Sequence, residues 1–309
     1  MAPSSTEAPP GIRVSLVVET ETDEAGHGIR LTDVLEAWKN QTAAPWIGEW
    51  IIVASRPPSP PEQRTLAGLP QRWLLAPGLR YHQNKNAGMA ASRGAYVVLT
   101  DSDVVPEPDW LEKAVVALES SGDRTAVVTG KSAYAPGPFS RELALAQWPN
   151  HGPRTAAASH FLAHNILLRG EVARRYAFPE SEAALRHGPD TALAERLRAE
   201  GWTLLYDPAL RMTHNAAASL RQVWRHCVAH GQTEARFLRA RGTAPAGTLR
   251  EAAGRIRVLW RRLVLQGRDV GIGPARLPLS FSFYAAFAAM LAVGRVRAGS
   301  GHPEVREPF

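Results

Sequence analysis

The sequence predicts an α/β protein built on a largely parallel sheet with helices on both faces. Two observations carry that prediction. Over the first two thirds of the chain, apolar runs of strand length alternate with stretches whose apolar residues recur every three or four positions. The strand-length runs are near-continuous rather than alternating, as strands buried on both faces require. In such sheets ligands bind beyond the carboxyl ends of the strands. With 45% hydrophobic and 21% charged residues over 309 positions, the chain can bury a sizeable core, which excludes a disordered protein. Its one cysteine, Cys227, excludes an internal disulfide and a cysteine-based zinc site, and reads as a small buried helix residue.

In chain order, residues 1–11 carry no basic side chain and no apolar run, so they read as a disordered Pro/Ser tail and not a secretory signal. Residues 12–18 are the first apolar strand. Leu31, Val34, Leu35 and Trp38 follow at helical spacing, and 50–54 is a second strand, broken by four prolines between 57 and 61. Residues 72–75 are a weak strand, 86–93 a helix, 95–100 a strand, 110–118 a helix opened by Pro108-Asp109, and 125–129 a strand. Residues 136–186 are irregular, apart from a strand at 166–168 and a short helix at 171–176. A helix at 190–199, strands at 202–206 and 210–213, and a long helix at 220–239 complete a domain assigned to residues 12–240.

Beyond residue 240 the character changes. Between residues 236 and 276 ten arginines stand against Glu251 and Asp269, so the net charge of +7 belongs to this segment and the rest is close to neutral. Ala252, Ile256, Leu259, Trp260 and Leu263 form a helical stripe whose remaining surface carries arginines. Such a helix suits an anionic membrane surface as well as a docked helix with a solvated basic face. Residues 277–294 carry no charge but are short for a span of about 20 residues. An interfacial helix is the favoured reading, so 241–309 is assigned as a membrane-associated helical region. A nucleic-acid role is disfavoured, because the basic residues interleave with an apolar stripe that needs burial.

The segment that carries chemistry is Thr100-Asp101-Ser102-Asp103, which follows the apolar strand directly. Alternation along an extended chain points Asp101 and Asp103 to the same side. Hard carboxylate oxygens at the sheet's carboxyl edge suit a divalent ion that also keeps positions open for substrate phosphates. Together with Asn84-Lys85-Asn86-Ala87-Gly88-Met89-Ala90-Ala91-Ser92-Arg93-Gly94 before it, this stretch resembles the family 2 glycosyltransferases of the GT-A fold, a Rossmann-like arrangement of a mainly parallel sheet with flanking helices. The resemblance runs from about residue 14 to 236.

By that resemblance Asp101 and Asp103 hold a nucleotide-diphospho-sugar donor, Asn86 and Arg93 lie near it, and Gly88 lets its helix approach closely. Asp190 matches the family's general base, with Pro189 where relatives carry Glu; His214 matches the family's metal-ligand histidine, joining Asp103 around Mn2+ or Mg2+. The first strand ends in Glu19-Thr20, both assigned to the donor, and the second in Ala54-Ser55 where relatives place an Asp. Gln222 and Arg225 resemble the Gln-x-x-Arg-Trp signature of the processive polysaccharide synthases, but His226 replaces its Trp, implying a non-processive enzyme. The implied reaction is inverting transfer to a glycan or lipid-linked acceptor in cell-envelope or polysaccharide synthesis, in the cytoplasm, peripheral on the inner membrane face. A sugar-nucleotide pyrophosphorylase is disfavoured by the acidic residues 19–24, and an inactive membrane-bound scaffold is the other alternative. His160 and His164 lack the glutamate of a metalloprotease helix and read as acceptor-pocket or structural residues, as does Trp148.

Overall fold

Near-continuous apolar strands, most of them followed by a helix, assemble into one nine-stranded sheet. The computed structural model describes residues 13–21, 28–148, 152–179, 185, 187–243 and 249–300; the expected tail at 1–11 lies outside them. The strands are β1 (Val14–Glu19), β2 (Ile47–Ala54), β3 (Gln71–Leu75), β4 (Tyr96–Asp101), β5 (Val104–Pro106), β6 (Thr125–Tyr134), β7 (Ala156–Ala157), β8 (Ile166–Arg169) and β9 (Thr203–His214). Their order is β3-β2-β1-β4-β8-β6-β9-β5, with β7 on β9. The β1–β2, β1–β4, β2–β3 and β6–β9 pairs are parallel, whereas β8 runs antiparallel to both β4 and β6.

The helices are α1 (Leu31–Lys39), α2 (Pro60–Leu66), α3 (Tyr81–Ala91), α4 (Trp110–Ser120), α5 (Ser140–Gln147), α6 (Gly170–Arg175), α7 (Pro189–Ala199), α8 (Leu220–Ala240), α9 (Leu249–Gln266) and α10 (Leu277–Gly299). Alternate strand residues feed two cores. Leu16 and Val18 of β1 pack with Trp38 of α1 and Trp110 of α4, and Val17 packs with Met89 of α3 and Leu193 of α7. Each such buried side chain contributes about 1.5–3 kcal/mol relative to exposure.

Four differences from the sequence reading have local causes. The proline-rich break holds α2, because Ser59 caps it, Pro60 fits its first turn, and Glu62 accepts from the Ser59 N–H (2.6 Å). Helix α3 begins at Tyr81, five residues early, and β9 runs unbroken through Asp207-Pro208 because an irregular register against β6 absorbs that stretch. The short strand β5 and helix α5 have no predicted counterpart.

The C-terminal helices are docked on the protein. Leu259 and Leu263 of α9 and Phe283, Tyr284, Phe287 and Leu291 of α10 share a core with Leu143 and Leu145 of α5 and Val223 and Cys227 of α8. The closeness of α8 and α10 rests on Gly231 and Gly294, where an added Cβ would lie 2.3 Å from Leu291 O and 2.2 Å from Val228 O. Buried Glu142 ties α5 to α10: it accepts from Arg276 Nε (2.6 Å) and Ser280 Oγ (2.7 Å). The segment Pro274–Gly299 is long and apolar enough to cross a membrane, at a mean hydropathy of 1.7, but 44% of its most apolar window is buried against the protein.

Candidate active site

Strand order brings the chemistry to one edge. Glu19 ends β1 directly opposite Asp101, which ends β4. Antiparallel β8 pairs Ile166 with Leu99, so its amino end, His164, comes level with Asp101. His214 ends β9 opposite Tyr134 of β6 and Val104 of β5. The result is a cluster of Asp101, His164 and His214 with one ligand-capable atom from each within 4.8 Å of one another. Asp103 adjoins it, with Oδ1 3.7 Å from His214 Nε2. Its route differs from the alternation argument: β4 ends at Asp101, Ser102 and Asp103 form a turn, and the chain re-enters the sheet as β5.

Helix α3 supports this edge from beneath. Tyr81, Asn84, Lys85 and Gly88 fall at helical spacing on its buried face, apart from the period the sequence reading used. Fully buried Lys85 is ion-paired with Asp101 Oδ1, and the Tyr81 hydroxyl donates to Asp101 Oδ2 (2.8 Å). Burial alone would raise the Asp101 pKa, but Lys85 first and then the neighbouring histidines bring it down to about 2. Gly88 allows the approach: an added Cβ would lie 2.2 Å from Val17 Cγ1.

Glu19 is closed to solvent. It accepts from Asn84 Nδ2 (3.1 Å) and from the Glu21 N–H, beside Asp101 on the neighbouring strand. Burial, then the Asp101 charge, raises its pKa from 4.5 to about 8. Because the folded value is the higher one, the stability Glu19 contributes is complete below 4.5 and is lost as pH rises towards about 8. Glu19→Gln is therefore expected to raise the thermal midpoint at pH 8 by several degrees and to leave it unchanged near pH 4, at roughly 2–4 °C per kcal/mol for a chain of this size; paired thermal melts at the two pH values check this.

Three other assigned donor residues are placed elsewhere. The Thr20 hydroxyl donates to Val53 O (3.1 Å). The Asn86 amide is spent on Phe178, donating to its carbonyl (2.9 Å) and accepting from its N–H (2.8 Å), so it pins the chain leaving α6. Arg93 precedes β4 at the amino edge of the sheet, where its N–H donates to Ser15 Oγ (3.3 Å) and its side chain is exposed. Of these three, only Asn86 lies on α3; Thr20 follows β1 and Arg93 lies beyond the end of α3.

Asp190 lies in the first turn of α7, after Gly188, whose φ of 107° and proximity to the Phe237 ring fix the entry of the helix. Its Oδ1 accepts from the Thr191 N–H (2.8 Å), and burial raises its pKa above the ordinary carboxylate value. A cavity of about 820 Å³ joins Asp190 to Asp101, His164 and His214, and is walled by Tyr81, Tyr134, Trp148, His160, His187 and Arg262. That volume suits a ligand of nucleotide-sugar size. Burial above all lowers the pKa of His82 and His164 to about 3, so both rings stay neutral. Ser219 caps α8, and Gln222 in its first turn reaches back to accept from the Ala218 N–H (2.6 Å), while His226 is buried against Gln147 in the cavity wall.

The donor set fits a divalent ion. One carboxylate and two imidazoles converge, with a second carboxylate alongside. His164 was not foreseen as part of it. The signal was its position two residues before a strand, which mattered only once that strand proved antiparallel.

Comparisons with known proteins agree with this architecture. Residues 76–166 match the family model described as glycosyl transferase family 2. That span holds Tyr81, Lys85, Asp101, Asp103 and His164, while Asp190 and His214 lie outside it. Among solved structures, S. aureus TarS aligns with a TM-score of 0.50 at 13% identity, over 92% of this chain and 55% of TarS. This chain thus spans about half the length of that protein. TarS residues 1–349 in complex with UDP-GlcNAc align with a TM-score of 0.50 at 15% identity, over 94% of this chain and 92% of that one. No curated protein sequence matches the chain.

Proposed function

We propose that this chain, whose residues 76–166 match the glycosyl transferase family 2 model, moves a sugar from a nucleotide-diphospho-sugar to an acceptor hydroxyl, with inversion at the anomeric carbon. The observation that carries this reading is the single cavity holding both a raised carboxylate, Asp190, and the Asp101–His164–His214 cluster. A structure of the same fold was crystallised with UDP-GlcNAc, which supports the donor class.

In this reading the acceptor lies between Asp190 and the donor. The acceptor oxygen attacks the anomeric carbon as Asp190 takes its proton, and the carbon–oxygen bond to the diphosphate breaks from the opposite face. The nucleoside diphosphate leaves with the bonding pair. Burial keeps the Asp190 carboxylate basic enough for this role. Asp101, His164 and His214, with Asp103 alongside, would hold a divalent ion, which offsets negative charge on the departing diphosphate. Imidazole ligands favour Mn2+ over Mg2+, which prefers oxygen. Lys85 and Tyr81 fix the carboxylate of Asp101. A screen of nucleotide-sugars for Mn2+-dependent binding, followed by the anomeric configuration of the product, tests the reading. Absence of binding by every donor, or retention of configuration, refutes it.

The acceptor reading is a glycan or lipid-linked molecule, with the enzyme peripheral on the cytoplasmic face of a membrane. Its support is the outer face of α9, where exposed Val258, Trp260, Val264 and Leu265 lie among exposed Arg257, Arg261 and Arg268. Trp260 meets Phe281 of α10 edge-on (5.2 Å between centroids), which continues the apolar surface. Each arginine near an anionic surface is worth about 1 kcal/mol. Arg261→Ala is expected to weaken binding to phosphatidylglycerol-containing vesicles about fivefold, with little binding to pure phosphatidylcholine; co-sedimentation measures both.

A further inference from the structure

A second cavity, of about 670 Å³, abuts the first, and Tyr134 lines both. Its walls are β6, β9, α5 and the turn at 267–270. Four cations reach it, Lys131, Arg141, Arg211 and Arg276, against Glu107 and Asp269. Arg276 is neutralised by Glu142. Arg211 is 3.9 Å from Glu107, and both side chains are largely exposed, so that pair is weak.

Lys131 and Arg141 each direct a donor to a main-chain carbonyl. Lys131 Nζ donates to Asp269 O (2.7 Å) and Arg141 Nη1 to Gly271 O (2.6 Å). A carbonyl accepts a hydrogen bond but brings no countercharge. The decisive feature is the sheet register: Lys131 on β6 stands directly opposite Arg211 on β9. Like charges in directly opposed positions are destabilising. Lys131 is also half-buried, and burial, then Arg211, lowers its pKa, while Asp269 opposes the shift.

Two crowded cations at the rim of a roomy cleft, with spare N–H donors, match an anion with several acceptor oxygens. We propose that this cavity binds a phosphate group between Lys131 and Arg211, with Arg141 at its edge. Given the glycosyltransferase reading above, on which this use of the site rests, a phosphate carried by the acceptor would be anchored here while its hydroxyl enters the first cavity past Tyr134.

The test uses calorimetric titration of the full chain in EDTA, which keeps a divalent ion from the first cavity, with inorganic phosphate and glucose 6-phosphate as probes. Saturable binding is expected, weakened at least tenfold by Lys131→Met and by Arg211→Gln and unchanged by Asp190→Asn. Tighter binding of glucose 6-phosphate assigns the site to a carried phosphate, and tighter binding of inorganic phosphate assigns it to the free ion. Without probe, either cavity variant should melt no lower than wild type, because one of two opposed like charges is gone; with phosphate, only wild type should gain. Failure of both probes to bind saturably, or variants that bind as wild type does, overturns the proposal. Nucleotide-sugar hydrolysis by the same samples reports separately on the first cavity.

Discussion

Asp190→Asn is expected to lower sugar transfer about 10²–10⁴-fold, the usual contribution of a positioned general base, with donor affinity unchanged. The side chain keeps its shape and can still accept from the Thr191 N–H, so α7 stays folded. What it loses is the capacity to take a proton. The same assignment fixes the sign of the pH profile. Asp190 works deprotonated, and burial raises its pKa, so the acidic limb of kcat/KM should lie above the range of an exposed aspartate and disappear in the variant. Steady-state rates against pH for both proteins measure this. Transfer at the wild-type rate by Asp190→Asn would remove the residue from the mechanism.

His164→Ala is the second large expected effect. Donor affinity in Mn2+ should fall at least tenfold, while affinity in EDTA stays as in the wild type; fluorescence titration with a nucleotide-sugar in both conditions separates the two. Removing an imidazole from a three-ligand cluster lowers metal affinity directly. The companion variant is Asp103→Asn. If Asp103→Asn abolishes the Mn2+ effect and His164→Ala leaves it intact, the ion is held by the pair the sequence suggested, Asp103 and His214, and not by the cluster at Asp101.

The sheet was legible from sequence wherever burial on both faces produced an unbroken apolar run. Residues 14–18, 50–54 and 96–100 needed nothing else. The direction of β8 was not legible. Its four residues carry no mark of direction, and only pairing between Leu99 and Ile166 shows that its amino end meets the catalytic edge. His164 was underestimated for that reason. Lys85 and Tyr81 were missed differently. A lysine in a polar helix reads as solvated, and only the depth of Asp101 makes it a buried counterion. Arg93 and Asn86 show the converse: they belong to a recognisable stretch, but Arg93 lies past the end of α3 at the amino edge of β4, and Asn86 is bonded to Phe178. The helix start at Pro189-Asp190 was legible as a local signal, whereas the role given to Asp190 came from the resemblance alone.

The C-terminal helices share a core with α5 and α8, and Arg262 of α9 lines the first cavity. Truncating the chain at about residue 245 would therefore expose Val223, Cys227 and Leu143 along with whatever attaches to α9, and the product would report on misfolding before it reported on attachment. Grafting the C-terminal helices of one relative onto the body of another would likewise transplant part of the first cavity's wall. In this architecture the terminal helices and that chamber are one inherited unit.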